Sequence, residues 1–239
     1  MLSRNEFKYI QSLFDKKNRQ EEGLFIAEGP KLIEEILKSN YAIKKIYATD
    51  NWVVENPDYT DKIISVNEAE LSRITGLQNA NKVIAIVHQQ ENILPNLNNN
   101  ISLVLDGIQD PGNMGTIIRI ADWYGIKNIL CSEDCVELYN PKVVQSTMGS
   151  FVRVNCWYGN IATVLKESSM PVFGALLNGK NVQLQNKLKE GFLVIGNEGK
   201  GISKDILSYI NHAITIPRIG GAESLNAAVA TGIILSHII

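Results

Sequence analysis

The stretch ITIPRIGGAESLNAAVATGIILSHII, residues 214–239, decides how this chain is read. Ile214 and Ile216 mark a short strand that reaches Pro217, passes the Gly220-Gly221 loop and enters a helix of small and apolar residues from Ser224 onward. A helix that is apolar on all sides is a buried one. Ser224 is expected to cap it, because a hydroxyl there accepts from a free amide of the first turn, and Glu223 suits the positive end of the helix dipole. Ala227, Ala228, Ala230 and Gly232 are small enough for another backbone or a ligand to come close. By itself this is also the pattern of a core-packing last helix, so two stretches upstream carry the decision.

LVIGNEGKGIS, residues 193–203, reads as a strand breaking into a glycine-rich loop. Gly196 and Gly201 have the four-residue gap of a P-loop, but that motif needs Lys then Ser or Thr after the second glycine, and Ile202 stands there. No G-x-G-x-x-G follows a strand either, which removes the dinucleotide fingerprint. What remains is a loop of backbone donors and acceptors at the carboxyl end of a strand, where α/β sheets bind ligands; it suits an adenine and ribose held through main-chain contacts. LVLDGIQDPGNMGTIIRIADWYGI, residues 103–126, reads as a buried strand, a Pro-Gly-Asn turn and an amphipathic helix carrying Arg119.

These three stretches, in this order and spacing, resemble the three signature motifs of the SpoU (TrmH) family of RNA ribose 2′-O-methyltransferases in the SPOUT superfamily, over about the last 140 residues. The resemblance implies S-adenosyl-L-methionine as cofactor, a deep trefoil knot in the C-terminal parallel-sheet domain and a homodimer built around it. It places the cofactor where three loops meet: Ala175, Leu176 and Leu177; Gly196, Asn197 and Gly199; and Ile216, Pro217 and Leu225. It assigns the chemistry to Arg119, with Asn113 shaping the site and capping its helix, Glu198 orienting Arg119 or facing the sulfonium, and Ser224 and Asn226 at the mouth of the final helix. Arg218 and Ile219 depart from the family, which commonly has an apolar residue after the proline.

Methyl transfer from a sulfonium to a ribose hydroxyl needs alignment and removal of a proton, and no metal. The family's arginine is proposed as the base. A guanidinium with a pKa above about 12 is nearly always protonated, so clamping the phosphate and stabilising the alkoxide is an equally good role. A catalytically silent RNA-binding or ribosome-assembly protein of the same fold could do without Arg119 or Asn226, and both are present.

Outward from these motifs, strands alternate with helices from Ile101 to the end, which predicts an α/β domain over residues 101–239 with a parallel sheet covered on both faces. FVRVNC, residues 151–156, is one expected strand, and Pro141 opens one expected helix. Residues 1–90 read as a small α/β domain, with strands at Leu24–Ala27, Ala42–Ala48, Asp61–Val66 and Lys82–Val87; polar residues 91–100 read as a linker. By resemblance the first domain is the family's L30-like, RNA-binding domain.

The chain of 239 residues is 45% hydrophobic with a net charge of −2, which argues against a uniformly basic nucleic-acid wrapper but leaves room for a local patch. Residues 1–20 hold Arg4, Lys8, Lys16, Lys17 and Arg19 against Glu6 and Asp15, five minus two, or +3. Phe7, Ile10, Leu13 and Phe14 share the inward face of a helix there, so its outer face is free to meet phosphates. No apolar run approaches the roughly 20 residues of a membrane span, and the N-terminus lacks a signal peptide's apolar core, so a cytoplasmic protein with RNA (rRNA or tRNA) as partner and no membrane is expected. Cys131, Cys135 and Cys156, with no histidine nearby, read as structural thiols. His88, His212 and His237 are scattered and receive no role.

Overall fold

The computed structural model describes residues 2–57 and 62–239 and divides them into two compact units. Asp61, the expected start of a strand, lies outside the described residues.

The first unit comprises Met1–Glu91 together with Glu137–Val152. Its sheet has the order β1 (Leu24–Glu28), β4 (Val83–His88), β2 (Ile43–Ala48), β3 (Ile63–Ser65), with β4 antiparallel to both neighbours and β3 parallel to β2. All five residues of β1 are buried, which means that both faces of the strand are covered. Leu24 and Ile26 point into a core with Phe7, Ile10, Leu13, Leu71 and Ile74. Phe25, alternating to the opposite face, stacks on Tyr139 at 4.7 Å and meets Phe151 edge-on at 5.8 Å. This explains why residues 137–152 belong to the first unit: they cover the second face of its sheet. The helix opened by Pro141, α7 (Pro141–Ser146), forms as expected, with Asn140 as its cap.

The single amphipathic helix expected at the N-terminus is two, α1 (Arg4–Ser12) and α2 (Lys16–Glu22), because Asp15 caps a new helix by accepting from Lys17 and Asn18 amides. The break turns Arg19 inward. It is 2% exposed, donates to Leu13 O at 3.0 Å and pairs with Glu137, so the basic cluster on the surface loses one of its five members. Two local readings hold. Pro30 sits in the first turn of α3 (Pro30–Leu37), and Asn67 caps α5 (Glu68–Ile74) in a reciprocal capping box with Glu70. A fourth helix, α4 (Asp50–Glu55), buries Trp52.

The second unit comprises Asn92–Val136 and Arg153–Ile239. Residues 89–100 contain no helix or strand. Six strands form a fully parallel sheet in the order β10 (His212–Thr215), β8 (Val172–Asn181), β9 (Gly191–Gly196), β5 (Ile101–Asp106), β6 (Asn128–Cys131), β7 (Asn155–Tyr158). The strand expected at 151–156 is displaced: Ser150–Val152 is a 3-10 turn of the first unit, and pairing starts at Asn155. Helices α6 (Pro111–Trp123), α8 (Ile161–Glu167), α9 (Lys204–Leu207) and α10 (Ala227–Ile238) complete the unit. α10 packs on α6, with Gly232 facing Ile120 at ordinary van der Waals distance.

Candidate active site

The sheet opens at its carboxyl edge. β8 and β9 pair through Gly174 and Val194 and no further, while β5 follows β9 to Gly196. Between β8 and β10 the ladder jumps from Gly174↔Ala213 to Lys180↔Ile214, so residues 175–179 of β8 have no partner in that ladder. Gly179 tolerates this because its missing Cβ would strike the Ala213 backbone at 2.7 Å. Thr215 Oγ1 donates to Leu177 O at 3.1 Å and ties the excursion to the end of β10. Ala175–Leu177 within β8, Gly196–Gly199 at the end of β9 and Ile216–Pro217 after β10 thus belong to three adjacent strands, toward the edge where open α/β sheets bind ligands.

The Gly196–Gly201 loop is held from inside. Asn197 and Gly201 exchange backbone hydrogen bonds at 3.0 and 2.9 Å. A Cβ on Gly196 would sit 2.3 Å from Gly201 C, and Gly201 has φ +69°, so both positions require glycine. Asn197 Oδ1 accepts from the amides of Gly199 (2.9 Å) and Lys200 (3.0 Å), while its Nδ2 donates to Gly107 O at 2.7 Å. Its side chain is committed to loop shape. Asp106, buried at the end of β5, accepts from the Ser203 amide at 2.6 Å.

Asn113 does not cap α6. That role falls to Asp110, whose Oδ1 accepts from the Asn113 amide at 2.8 Å with Pro111 in the first turn. Ser224 does not cap α10 either. It is exposed, and Asn226 takes the role, accepting on Oδ1 from Ala228 (3.0 Å) and Val229 (3.2 Å). An asparagine reaches two first-turn amides where the serine, two residues earlier, reaches none. With Oδ1 fixed as acceptor, Asn226 Nδ2 donates to Asn113 Oδ1 at 2.7 Å, which leaves Asn113 Nδ2 to donate to Glu198 Oε1 at 2.6 Å. One directional chain, Asn226 to Asn113 to Glu198, joins all three motifs and ends on a carboxylate.

Arg119, further along α6, is exposed and makes no hydrogen bond or ion pair with the described residues, Glu198 included. Leu225 is half-exposed, Ile219 is fully exposed, and Arg218 closes its loop by donating to Ala222 O at 3.2 Å. Sequence reasoning passed over Asp110 and Gly107, although Asp-Pro-Gly before an apolar run is a helix-start signal and Asp-Gly a turn signal.

Cys131 and Cys156 are buried, and burial pushes their thiols up, that of Cys156 to about 12. Cys135 is held below the ordinary thiol value by the Cys131 thiol, with Ser132 and the Ile108 and Gly107 amides also facing it. Cys131 and Cys156 are therefore packing groups. Among the described residues no three His, Cys, Asp or Glu side chains gather closely enough to hold a metal ion.

The sheet is splayed at its carboxyl edge and side chains from three motifs are joined there by hydrogen bonds; the model of the SpoU rRNA methylase family matches residues 100–236, and the chain belongs to that family. The model of the MRM3-like substrate binding domain matches residues 4–85. Among curated relatives, the 23S rRNA (guanosine(2553)-2′-O)-methyltransferase RlmP of Bacillus subtilis is 31% identical over 95% of this chain and 93% of its own. A TrmH-family protein of Porphyromonas gingivalis superposes with a TM-score of 0.91 at 34% identity, covering 99% of this chain and 98% of its own. The AdoMet-bound rRNA methyltransferase of Sinorhizobium meliloti gives 0.88 at 29%, covering 100% and 96%.

Proposed function

We propose that this protein transfers a methyl group from S-adenosyl-L-methionine to a ribose 2′-hydroxyl of RNA, ribosomal or transfer. The observation that carries the reading is the Asn226-Asn113-Glu198 chain, which makes one polar assembly of three separated motifs while Arg119 stays unpaired on the same helix. The named activity of the Bacillus subtilis relative supports it.

The cofactor's adenine and ribose call for main-chain polar groups and apolar cover. The splayed edge supplies both: the peptides of Ala175–Leu177, Gly196 and Ile216–Pro217, and the half-exposed Leu225. Asn197 and Gly199 act by holding that edge in shape. When bound, the sulfonium supplies an electrophilic methyl group whose positive charge is lost in the transfer. Arg119 clamps the target phosphate with its guanidinium fork and stabilises the developing alkoxide. Glu198 keeps one oxygen available beside Asn113, and Ser224 presents a free hydroxyl at the mouth of α10.

The reading extends to a knotted C-terminal domain, an L30-like first domain of residues 1–90, and a cytoplasmic homodimer. Trp123 on α6 is 85% exposed and Val229 on α10 50%, apolar surface that a second copy would cover. The test is ribose-methylation mapping of total RNA from a strain lacking the gene. One lost 2′-O-methyl group, restored by the purified protein with S-adenosyl-L-methionine, is expected; an unchanged map together with no transfer to total RNA in vitro overturns the reading.

A further inference from the structure

The first unit contains a groove that none of the three motifs uses. It encloses about 480 Å³ between the start of α4, the face of α5 and the loop 75–82, with Leu77 on its wall and Asn51, Ser72, Gln78, Asn79 and Asn81 around it. A site of that volume holds a nucleobase with its ribose. Among the described residues these amide and hydroxyl side chains find no hydrogen-bond partner.

The loop that carries three of the amides is built in place. Glu28, 5% exposed at the end of β1, accepts from Thr75 Oγ1 and from the Gly76 amide (3.0 Å). Burial pushes its carboxyl up, so the fold tolerates a costly buried acid in order to fix this turn. Gly76 lies against the Phe14 ring, where a Cβ would come within 2.3 Å of Cε1. At the far end the Thr49 amide donates to Lys82 O at 3.0 Å. A loop anchored at both ends, with amides at its tip that have no partner among the described residues, is a recognition device.

Its charge says what it recognises. Lys82, the groove's cation, lies 3.8 Å from Glu55, and Glu68 adds a carboxylate to the lining. Such a surface does not attract phosphate. Amides, each with a donor and an acceptor, match the edges of an unpaired base, which is how single-stranded RNA is read.

We infer that this groove binds an unstacked nucleobase of the RNA substrate through Gln78, Asn79 and Asn81, and so contributes sequence preference while the exposed lysines contribute charge attraction. The inference rests on the RNA-methyltransferase reading. The test uses the full-length protein and four short homopolymeric single-stranded RNAs, with affinity measured by fluorescence anisotropy against salt. Native protein should prefer one homopolymer. Gln78→Ala/Asn79→Ala/Asn81→Ala should lose that preference, weakening the favoured RNA about tenfold or more, with the salt slope and melting temperature unchanged. Lys16→Ala/Lys17→Ala should keep the preference and flatten the slope by about 1.4, from two lost phosphate contacts on a single strand. Equal affinity of native protein for all four RNAs, or undiminished preference in the triple variant, overturns the groove alone. A native protein that binds no RNA overturns the methyltransferase reading with it.

Discussion

The two units use the same side chains in opposite ways. At the carboxyl edge of the second unit every asparagine of the site is tied down: Asn226 to two amides and to Asn113, Asn113 to Glu198, Asn197 to Gly107 and its own loop. In the groove of the first unit Asn51, Gln78, Asn79 and Asn81 have no hydrogen-bond partner among the described residues. Chemistry on a small target needs groups already in position, because reorganising them during reaction adds to the barrier. Recognition of a base needs groups whose partners have yet to arrive. The exception at the active edge is Arg119, a cation with no partner among the described residues.

Removing that exception should have the largest effect. Arg119→Ala is expected to lower methyl transfer by roughly 10² or more while melting temperature and cofactor affinity, measured by calorimetry, stay unchanged. Arg119→Lys separates the two roles left open by the sequence. A lysine restores charge without the bidentate fork, so failure to rescue supports the clamp, and rescue with a rate rising with pH supports a base. Full activity in Arg119→Ala would move the chemistry to Glu198 and Ser224.

Asn226→Asp asks whether the tied chain matters for the reaction or only for the fold. The aspartate still accepts from Ala228 and Val229, so α10 keeps its cap, and a melting temperature close to the parent's is expected. It no longer donates to Asn113, whose own Nδ2 then has two carboxylates to choose between. Methyl transfer should fall about ten- to a hundredfold. Parental turnover in this variant would mean that the chain is structural.

The motifs and the parallel sheet were legible in the sequence because each rests on local pattern: Gly196 and Gly201 around a forced turn, Asn113 and Arg119 on one helix, an apolar run for β5. What was not legible depends on partners distant in sequence. Ser224 and Asn226 are both good caps by type, and only the backbone after Leu225 selects the asparagine. Arg19 looked like one more surface cation until Asp15 restarted the helix and Glu137, over a hundred residues on, met it. The membership of residues 137–152 in the first unit had a signal, the unbroken burial-type run Leu24–Ala27, which demands cover on both faces of β1. It also changes an experiment. Deleting residues 1–90 would bare Phe151, Val143 and Val144, all buried, so the first unit's share in RNA binding is better measured by point substitutions than by truncation.

The smallest effect concerns polar groups of the first unit that are tied, and it sharpens the contrast with the groove. Glu6 on α1 accepts from Lys45 Nζ and from the buried Tyr47 hydroxyl, both at 3.0 Å, and the hydrogen bond from Lys45 holds its carboxyl below the ordinary 4.5. The same contact, with burial first, pushes Tyr47 well above its usual value. A carboxylate with a depressed folded-state pKa contributes stability that is present above the unfolded value and is lost as pH falls through the folded one. Native protein should therefore lose this contribution below about pH 4.5, whereas Glu6→Gln, which still accepts on its amide oxygen but carries no charge, should show a shallower acid limb in chemical denaturation. At neutral pH the variant should be less stable by about 1 kcal/mol or less, since the pair is partly exposed and screened. Its RNA affinity and homopolymer preference should match the native protein's, because the groove amides are untouched. An acid limb identical in both proteins would mean that Glu6 is as solvated in the folded chain as in the unfolded one; an altered homopolymer preference would mean that the tied and untied groups of this unit are coupled after all.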